Sequence, residues 1–247
     1  MPLSDSKNKF LKYKFMNDSA ALAPYMPETR WMSASSFRHL LTKYKKVIAK
    51  PVGGKRGWGV FQVSALRNGL YEVHMENRKY RLRGLQQVFA WLQRHAGARA
   101  YMIQSCIPRA DINGRPFDMR VIVQRKTNSP NWVVTGKVAK VAGRGYIVSN
   151  IGRSKGTVLP VGTAIRRSSL KGHSPYLLQR KLDRVALLSA VRLSELFPEH
   201  RIYGFDMALD RKGRVRIIEA NLSPARSHFH MLANKTMLNR ITAYKTG

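Results

Sequence analysis

Apolar positions along this chain recur with two periods, and the two alternate. Phe37, Leu40, Leu41 and Tyr44 follow the i, i+3, i+4, i+7 spacing of an amphipathic helix, with Ser35 or Ser36 as the expected N-cap. Leu85, Val88, Phe89 and Leu92 predict a second helix. The longest helix is expected over 177–197, with an apolar face through Leu178, Leu182, Val185, Leu193 and Leu196. Between them lie short β-type runs at 46–50 (stopped by Pro51), 60–63, 70–74, 79–83 and 100–104. Longer strands are predicted at 118–124 and 132–141, split by a polar turn at 126–131. Residues 203–209 and 214–218 read as a hairpin joined by Asp210-Arg-Lys-Gly213. Residues 1–33 carry Pro24, Pro27 and one short helix near 10–16, and a last helix is expected over 228–244. Antiparallel strands with interspersed helices indicate an α+β fold rather than a doubly wound sheet.

Composition narrows the class. Of 247 residues 44% are hydrophobic, enough for a packed core. Lys plus Arg number 45 against 13 Asp plus Glu, a net charge of +32. A field of that sign attracts polyanions such as nucleic acid, acidic polymers or phosphorylated ligands; a generally basic surface explains it equally. With acids so scarce, Asp118, Asp206 and Glu219 near strand ends stand out. The single cysteine, Cys106, excludes an intrachain disulfide and a Cys-based zinc site and reads as a packed thiol. The N-terminus has no apolar core of a signal peptide, and no apolar run approaches the ~18 residues of a membrane span, so a cytoplasmic protein is expected. No helix-turn-helix, zinc-finger or RNA-recognition signature accompanies the charge.

Candidate chemistry concentrates in four places. Glu219 and Asn221 lie two apart and share a strand face, and the hairpin can bring Asp206 beside them. Such hard oxygen ligands suit Mg²⁺ shared with a nucleotide phosphate; the bland alternative pairs the acids with arginines. Gly53-Gly-Lys-Arg-Gly-Trp-Gly59 matches neither the Walker nor the dinucleotide pattern, yet between two strands its amides can form an anion nest beside Lys50; otherwise it is a basic hairpin turn. Asp118 and Arg120 share a face, so the acid can steady a phosphate-binding guanidinium, or each forms a cross-strand ion pair. Arg144, Asn150 and Arg153 sit on a basic, glycine-rich segment at 144–156 and read as an acidic-substrate site or as surface charge. His228 and His230 resemble a ligand pair with no further zinc spacing around them.

In order, these pieces resemble the ATP-grasp superfamily of carboxylate–amine ligases, and within it the YheC/YheD group of spore-coat-associated proteins. The resemblance rests on Tyr25-Met-Pro-Glu-Thr29, Val47-Ile-Ala-Lys-Pro51 with 53–60, Phe117-Asp-Met-Arg-Val-Ile-Val-Gln124, Val148-Ser-Asn-Ile-Gly152, and Tyr203-Gly-Phe-Asp206 with Ile218-Glu-Ala-Asn221. It implies two α+β subdomains holding ATP between them: a small lid subdomain at 34–104 and a metal-binding one at 105–247. Residues 1–33 would be a remnant of the N-terminal domain that related ligases carry and use for the acceptor. By resemblance Lys50 binds the α- and β-phosphates, with Lys9 as second lysine in competition with Lys7 and Lys12. Gly53, Gly54, Gly57 and Gly59 belong to the lid, Gln104, Ser105 and Ile107 to the adenine-reading hinge, and Asp111 to the ribose site. Arg120, Arg144 and Asn150 serve the transferring phosphoryl group and the acceptor, and Asp206, Glu219 and Asn221 hold Mg²⁺ or Mn²⁺. The bulk of Trp58 in the lid departs from the pattern. The implied reaction activates a carboxylate as an acyl-phosphate for attack by an amine, on an acidic peptide, a cell-envelope polymer or a tRNA-borne substrate. The rival readings are an ATP-binding coat component without turnover and a basic nucleic-acid-binding protein.

Overall fold

Two antiparallel sheets face each other across a cleft in the computed structural model, which describes residues 5–54 and 57–246. Lys55 and Arg56, the two cations of the glycine loop, lie outside the described residues. The chain opens with α1 (Lys9–Asn17), capped by Asn8, whose side chain accepts the Leu11 amide. Next come β1 (Thr29–Trp31), α2 (Ala34–Tyr44), β2 (Lys46–Pro51), β3 (Phe61–Ala65), β4 (Leu70–Met75), β5 (Arg78–Arg83), α3 (Leu85–Ala96) and β6 (Tyr101–Ser105). The second half runs β7 (Asp111–Ile112), β8 (Arg115–Gln124), β9 (Val133–Val141), α4 (Ile151–Ser154), β10 (Thr157–Leu159), α5 (Val161–Arg166) and α6 (Pro175–Leu196). It closes with β11 (Ile202–Leu209), β12 (Val215–Asn221), α7 (Ser227–His230) and α8 (Thr236–Thr246).

The small sheet has the order β1-β6-β2-β3-β4-β5. One face is covered by α2 and α3, whose Phe37, Leu40, Leu41, Val88 and Leu92 pack on Val47, Phe61, Val63 and Ile103. The helical spacing read from the sequence is therefore a core face, as expected of amphipathic elements. The cap of α2 is Ser33, accepting the Ser36 amide, and not Ser35 or Ser36. Pro51 does not stop β2 but is its last residue, opposite Tyr101, an end position where a missing N–H is tolerated.

The large sheet runs β10-β9-β8-β11-β12, with β7 added beside β8. Leu178, Leu182, Val185, Ala190 and Leu193 of α6 cover one face. Phe229, Leu232 and Ile241 cover the other against Ile122 and Val138. This second layer corrects the single helix expected over 228–244. In one unbroken helix Leu232 and Ile241 would point about half a turn apart; the break between α7 and α8 turns both onto the sheet.

Residues 5–33 are shared between the two units. Met16, Leu22 and Met26 enter the large core, while β1 extends the small sheet beyond β6. Met16 is 1% exposed. Met16→Ala should therefore cost about 2–5 kcal/mol, measured by urea unfolding; an unchanged midpoint would show that this segment only rests on the surface.

Candidate active site

The cleft between the sheets encloses about 470 Å³. Its small-sheet wall follows from strand register. Ile48 and Gln104 are directly opposed on β2 and β6, share a face, and line the cleft. Lys50, two residues on, donates to Gln104 Oε1 at 2.8 Å and reaches across to the Ile218 carbonyl at 3.1 Å. Gln104 is itself anchored, donating to Thr29 Oγ1 at 2.8 Å. Burial lowers the Lys50 pKa to about 8, against the opposing pull of Glu219. The N-terminal lysines differ in position. Lys9 lines the cleft and pairs with Glu219 at 3.4 Å, whereas Lys12 is tied to the Ser6 carbonyl and Lys7 is exposed.

The large-sheet wall is an ion network built by three neighbouring strands. Arg120 on β8 faces Asp206 on β11 and binds both its oxygens, at 2.8 and 3.1 Å. Lys140 on β9 bridges Asp206 and Asp118, at 2.9 Å to each. Asp118 also pairs with Arg109 at 3.4 Å and accepts the Ser149 hydroxyl. Of the two readings of Asp118, the cross-strand ion pair holds: it opposes Lys140 on β9 and binds it and Arg109, rather than steadying Arg120. Burial alone would raise the Asp206 pKa, but Arg120 and Lys140 hold it well below the usual carboxylate range. For Lys140, burial is outweighed by Asp118 and Asp206, which push its pKa up.

Lys140 escaped the sequence reading, although a lone cation inside Val138-Ala-Lys-Val141 was a signal for it. His228 was noticed for another reason. It lines the cleft, and its Nδ1 is buried without a hydrogen-bond partner. Burial, then Lys140 and Arg120, lower its pKa to about 4, so the ring is neutral. His230 is exposed and does not join it, which removes the histidine pair as a ligand set.

Other expectations sort by position. Gly54 and Gly57 line the cleft with φ of +121° and +73°, backbone that suits a nest of amides. Gly53 and Gly59 are not among the lining residues. Gly59 instead fits beside Tyr101, whose hydroxyl would lie 2.4 Å from an added Cβ. Ser105, Cys106 and Ile107 line the cleft, so Cys106 is a half-buried thiol on the cleft wall rather than a packed core one. Asp111 sits at the β7–β8 turn, accepting the Gly114 amide, and is absent from the cleft lining. Arg144 is exposed and outside it too. Asn150 lines the cleft while capping α4. Trp58 lies over Arg153, with 3.3 Å from ring centroid to guanidinium carbon, and Arg153 pairs with Glu76 at 2.9 Å. The lid and the β4–β5 turn therefore both meet the 144–153 segment, helped by a His74–Gly145 hydrogen bond of 2.9 Å.

Asp206 and Glu219 are directly opposed on β11 and β12, and Asn221 opposes Gly204. All three side chains belong to the cleft lining. Among the described residues no group of three or more His, Cys, Asp or Glu gathers. Two carboxylates and an amide oxygen are a partial set of hard donors, which fits a divalent cation that completes its shell with phosphate oxygens. Asp206 Oδ1 accepts from both Arg120 and Lys140 and Oδ2 from Arg120 alone, so Oδ2 keeps one lone pair for a metal, and an incoming anion competes with Asp206 for the two cations.

Comparison with known proteins agrees with this layout. A family model described as YheC/D like ATP-grasp matches residues 4–245. The chain belongs to the YheC/D-like ATP-grasp family. It is 24% identical over 237 residues to the endospore coat-associated protein YheD of Bacillus subtilis, covering 90% of this chain and 49% of that one. The chain thus spans about half the length of this curated relative. Among solved structures it resembles N5-carboxyaminoimidazole synthase from Aspergillus clavatus in complex with ADP and 5-aminoimidazole ribonucleotide (TM-score 0.55, 11% identity, 90% of this chain and 46% of that one). It also resembles the D-cycloserine synthetase DcsG (TM-score 0.54, 12% identity, 98% and 70%) and the ATP-grasp ligase PsnB (TM-score 0.51, 15% identity, 96% and 57%). These likenesses fix the fold of the YheC/D-like chain as ATP-grasp.

A polyphosphate needs Lys50 as the ammonium, whereas burial leaves it half neutral at about pH 8. ADP binding should take up about half a proton at that pH, none near pH 6, and weaken as pH rises through 8. Calorimetry in buffers of different ionisation enthalpy reads this, and Lys50→Met should abolish the uptake.

Proposed function

We propose that this chain is an ATP- and Mg²⁺-dependent ligase that joins a carboxylate to an amine through an acyl-phosphate. The observation that carries the reading is Lys50, a buried cation on one cleft wall bonded to the backbone that bears Glu219 on the other. A nucleotide phosphate chain is the kind of ligand that needs both: fixed cations on one side and metal-binding oxygens on the other.

In this reading Lys50 and Lys9 contact the phosphates, and the amides at Gly54 and Gly57 close over them. Hinge residues 104–107 face the adenine edge. Asp206, Glu219 and Asn221 would hold Mg²⁺ or Mn²⁺, which supplies neutralisation of phosphate charge when bound. A carboxylate oxygen of the substrate attacks the γ-phosphorus and ADP leaves; the amine then attacks the acyl carbon and phosphate leaves. Arg120 and Lys140, released from Asp206, stabilise the anionic group in both steps. The neutral His228, with Nδ1 unpartnered, accepts a hydrogen bond from the attacking amine and orients it, and the proton the amine loses passes to the departing phosphate. The Trp58–Arg153 contact holds the lid down and keeps water from the acyl-phosphate. No protein nucleophile is required, because positioning and charge neutralisation do most of the work in phosphoryl transfer.

A second reading, a nucleotide-binding coat component without turnover, is favoured by one observation: both Asp206 oxygens already accept from Arg120, and Oδ1 from Lys140 as well, so three of the four lone pairs of the carboxylate are turned to cations. The name of the YheD relative motivates a spore-coat location for either version. No helix among the described residues is long and apolar enough to cross a membrane.

Both versions meet the same test. Release of ADP is measured with Mg²⁺, ATP and pooled carboxylates and amines. Glu219→Ala should lower turnover about 100-fold or more with an unchanged thermal midpoint. Turnover that survives the substitution would remove the metal assignment, and its absence in the unaltered protein with every pool would favour the binding component.

A further inference from the structure

The small sheet presents two surfaces. One is covered by α2 and α3; the other faces the cleft. Strand register shows how far the cleft-facing surface extends. Gln104 opposes Ile48, Ile48 opposes Gln62, Gln62 opposes His74, and His74 opposes Lys79. Directly opposed residues share a face, so Lys79 stands at the outer end of the row that begins with the cleft residues Gln104 and Ile48. Lys79, Arg81 and Arg83 alternate along β5 and so share that face. All three are exposed, while Tyr80 and Leu82 between them pack towards the helices. Lys79 pairs with Glu72 at 3.1 Å; among the described residues no acid pairs with Arg81 or Arg83.

β5 is also the outermost strand of its sheet. Its outer edge offers backbone N–H and C=O groups to a further extended chain. The far end is closed, since the Arg83 amide donates to Gln87 Oε1 at 3.3 Å. The near end leads to the cleft mouth: the turn after β4 places Glu76 on Arg153, and His74 meets Gly145. Cations repeat every second residue, about 6.8 Å apart. An added peptide strand presents alternate side chains with the same repeat.

We infer that β5 docks an extended acidic polypeptide, the carboxylate-bearing substrate, which adds to the sheet edge and leads into the cleft past the β4–β5 turn. The inference rests on the ligase reading above and supplies its substrate class. Free backbone groups favour a peptide over a nucleic acid, because only a peptide offers matching donors and acceptors in strand geometry. Charged edges also deter self-association, and an acidic partner is the one chain such an edge does not repel.

The test uses the full chain and a fluorescent decaglutamate peptide, read by anisotropy. Lys79→Gln, Arg81→Gln and Arg83→Gln together should weaken binding about tenfold or more. A control triple on the exposed surface of α6, Arg180→Gln, Lys181→Gln and Arg184→Gln, removes the same charge and should change it less than about threefold. ADP binding should be unchanged in both, which also shows that both fold. Equal weakening by the two triples would overturn the inference in favour of a diffuse field. So would failure of decaglutamate to bind, or an oligothymidylate of ten residues binding as tightly with the same sensitivity to the β5 triple. Failure of the unaltered protein to bind ADP would overturn the nucleotide reading instead, while the peptide measurement still decides the docking strand.

Discussion

The bond between Arg120 and Asp206 is the constraint from which the cleft is built. Two charged groups sit between the apolar residues of two central strands, Arg120 buried and Asp206 half-buried. An isolated charge there would be costly, so the strands must meet in the register that pairs them. β8 and β11 do so directly, and β9 adds Lys140 to the same oxygen. Asp118 and Arg109 then complete a chain of alternating charges across the floor of the site. Three cations against two acids leave this floor receptive to one more anion.

The two walls are joined by few polar links, and those links mark where a ligand must intervene. Lys50 bridges from Gln104 to Ile218, and Lys9 reaches Glu219. At the mouth, Trp58 on Arg153 and His74 on Gly145 link the glycine loop and β4 to the large unit. Each apolar core belongs largely to one sheet, so closure depends on these contacts rather than on buried hydrophobic area. An arrangement of this kind closes around a charged ligand and opens at modest cost.

Charge is distributed by the same logic. Of the scarce acids, Asp206 and Asp118 in the floor meet buried or half-buried cations, Asp210 is buried under the exposed Arg214, and Glu28 gathers Arg30, Lys43 and Tyr44 at the surface. The excess of lysine and arginine therefore falls on the surface, and β5 is one place where it is ordered by strand geometry rather than scattered.

The alternation of periods determined the α+β class, and the ordered motifs identified the ATP-grasp family, because both are properties of local spacing. Lys50, Glu219 and Asn221 were legible for that reason: each ends or occupies a strand whose period fixes its face. The partner of Arg120 was not legible, since Asp118 two residues away and Asp206 in a distant strand offer the same chemistry, and only register chooses between them. Lys140 on β9 and His228 on α7 also line the site, while Asp111 and Arg144, placed there by resemblance, are absent from the lining: Asp111 closes the β7–β8 turn and Arg144 is exposed. The sequence by itself determined which side chains share a strand face. Which faces meet across the cleft was decided only by the tertiary structure, because burial of unlike charges and of apolar surface is a property of assembled strands.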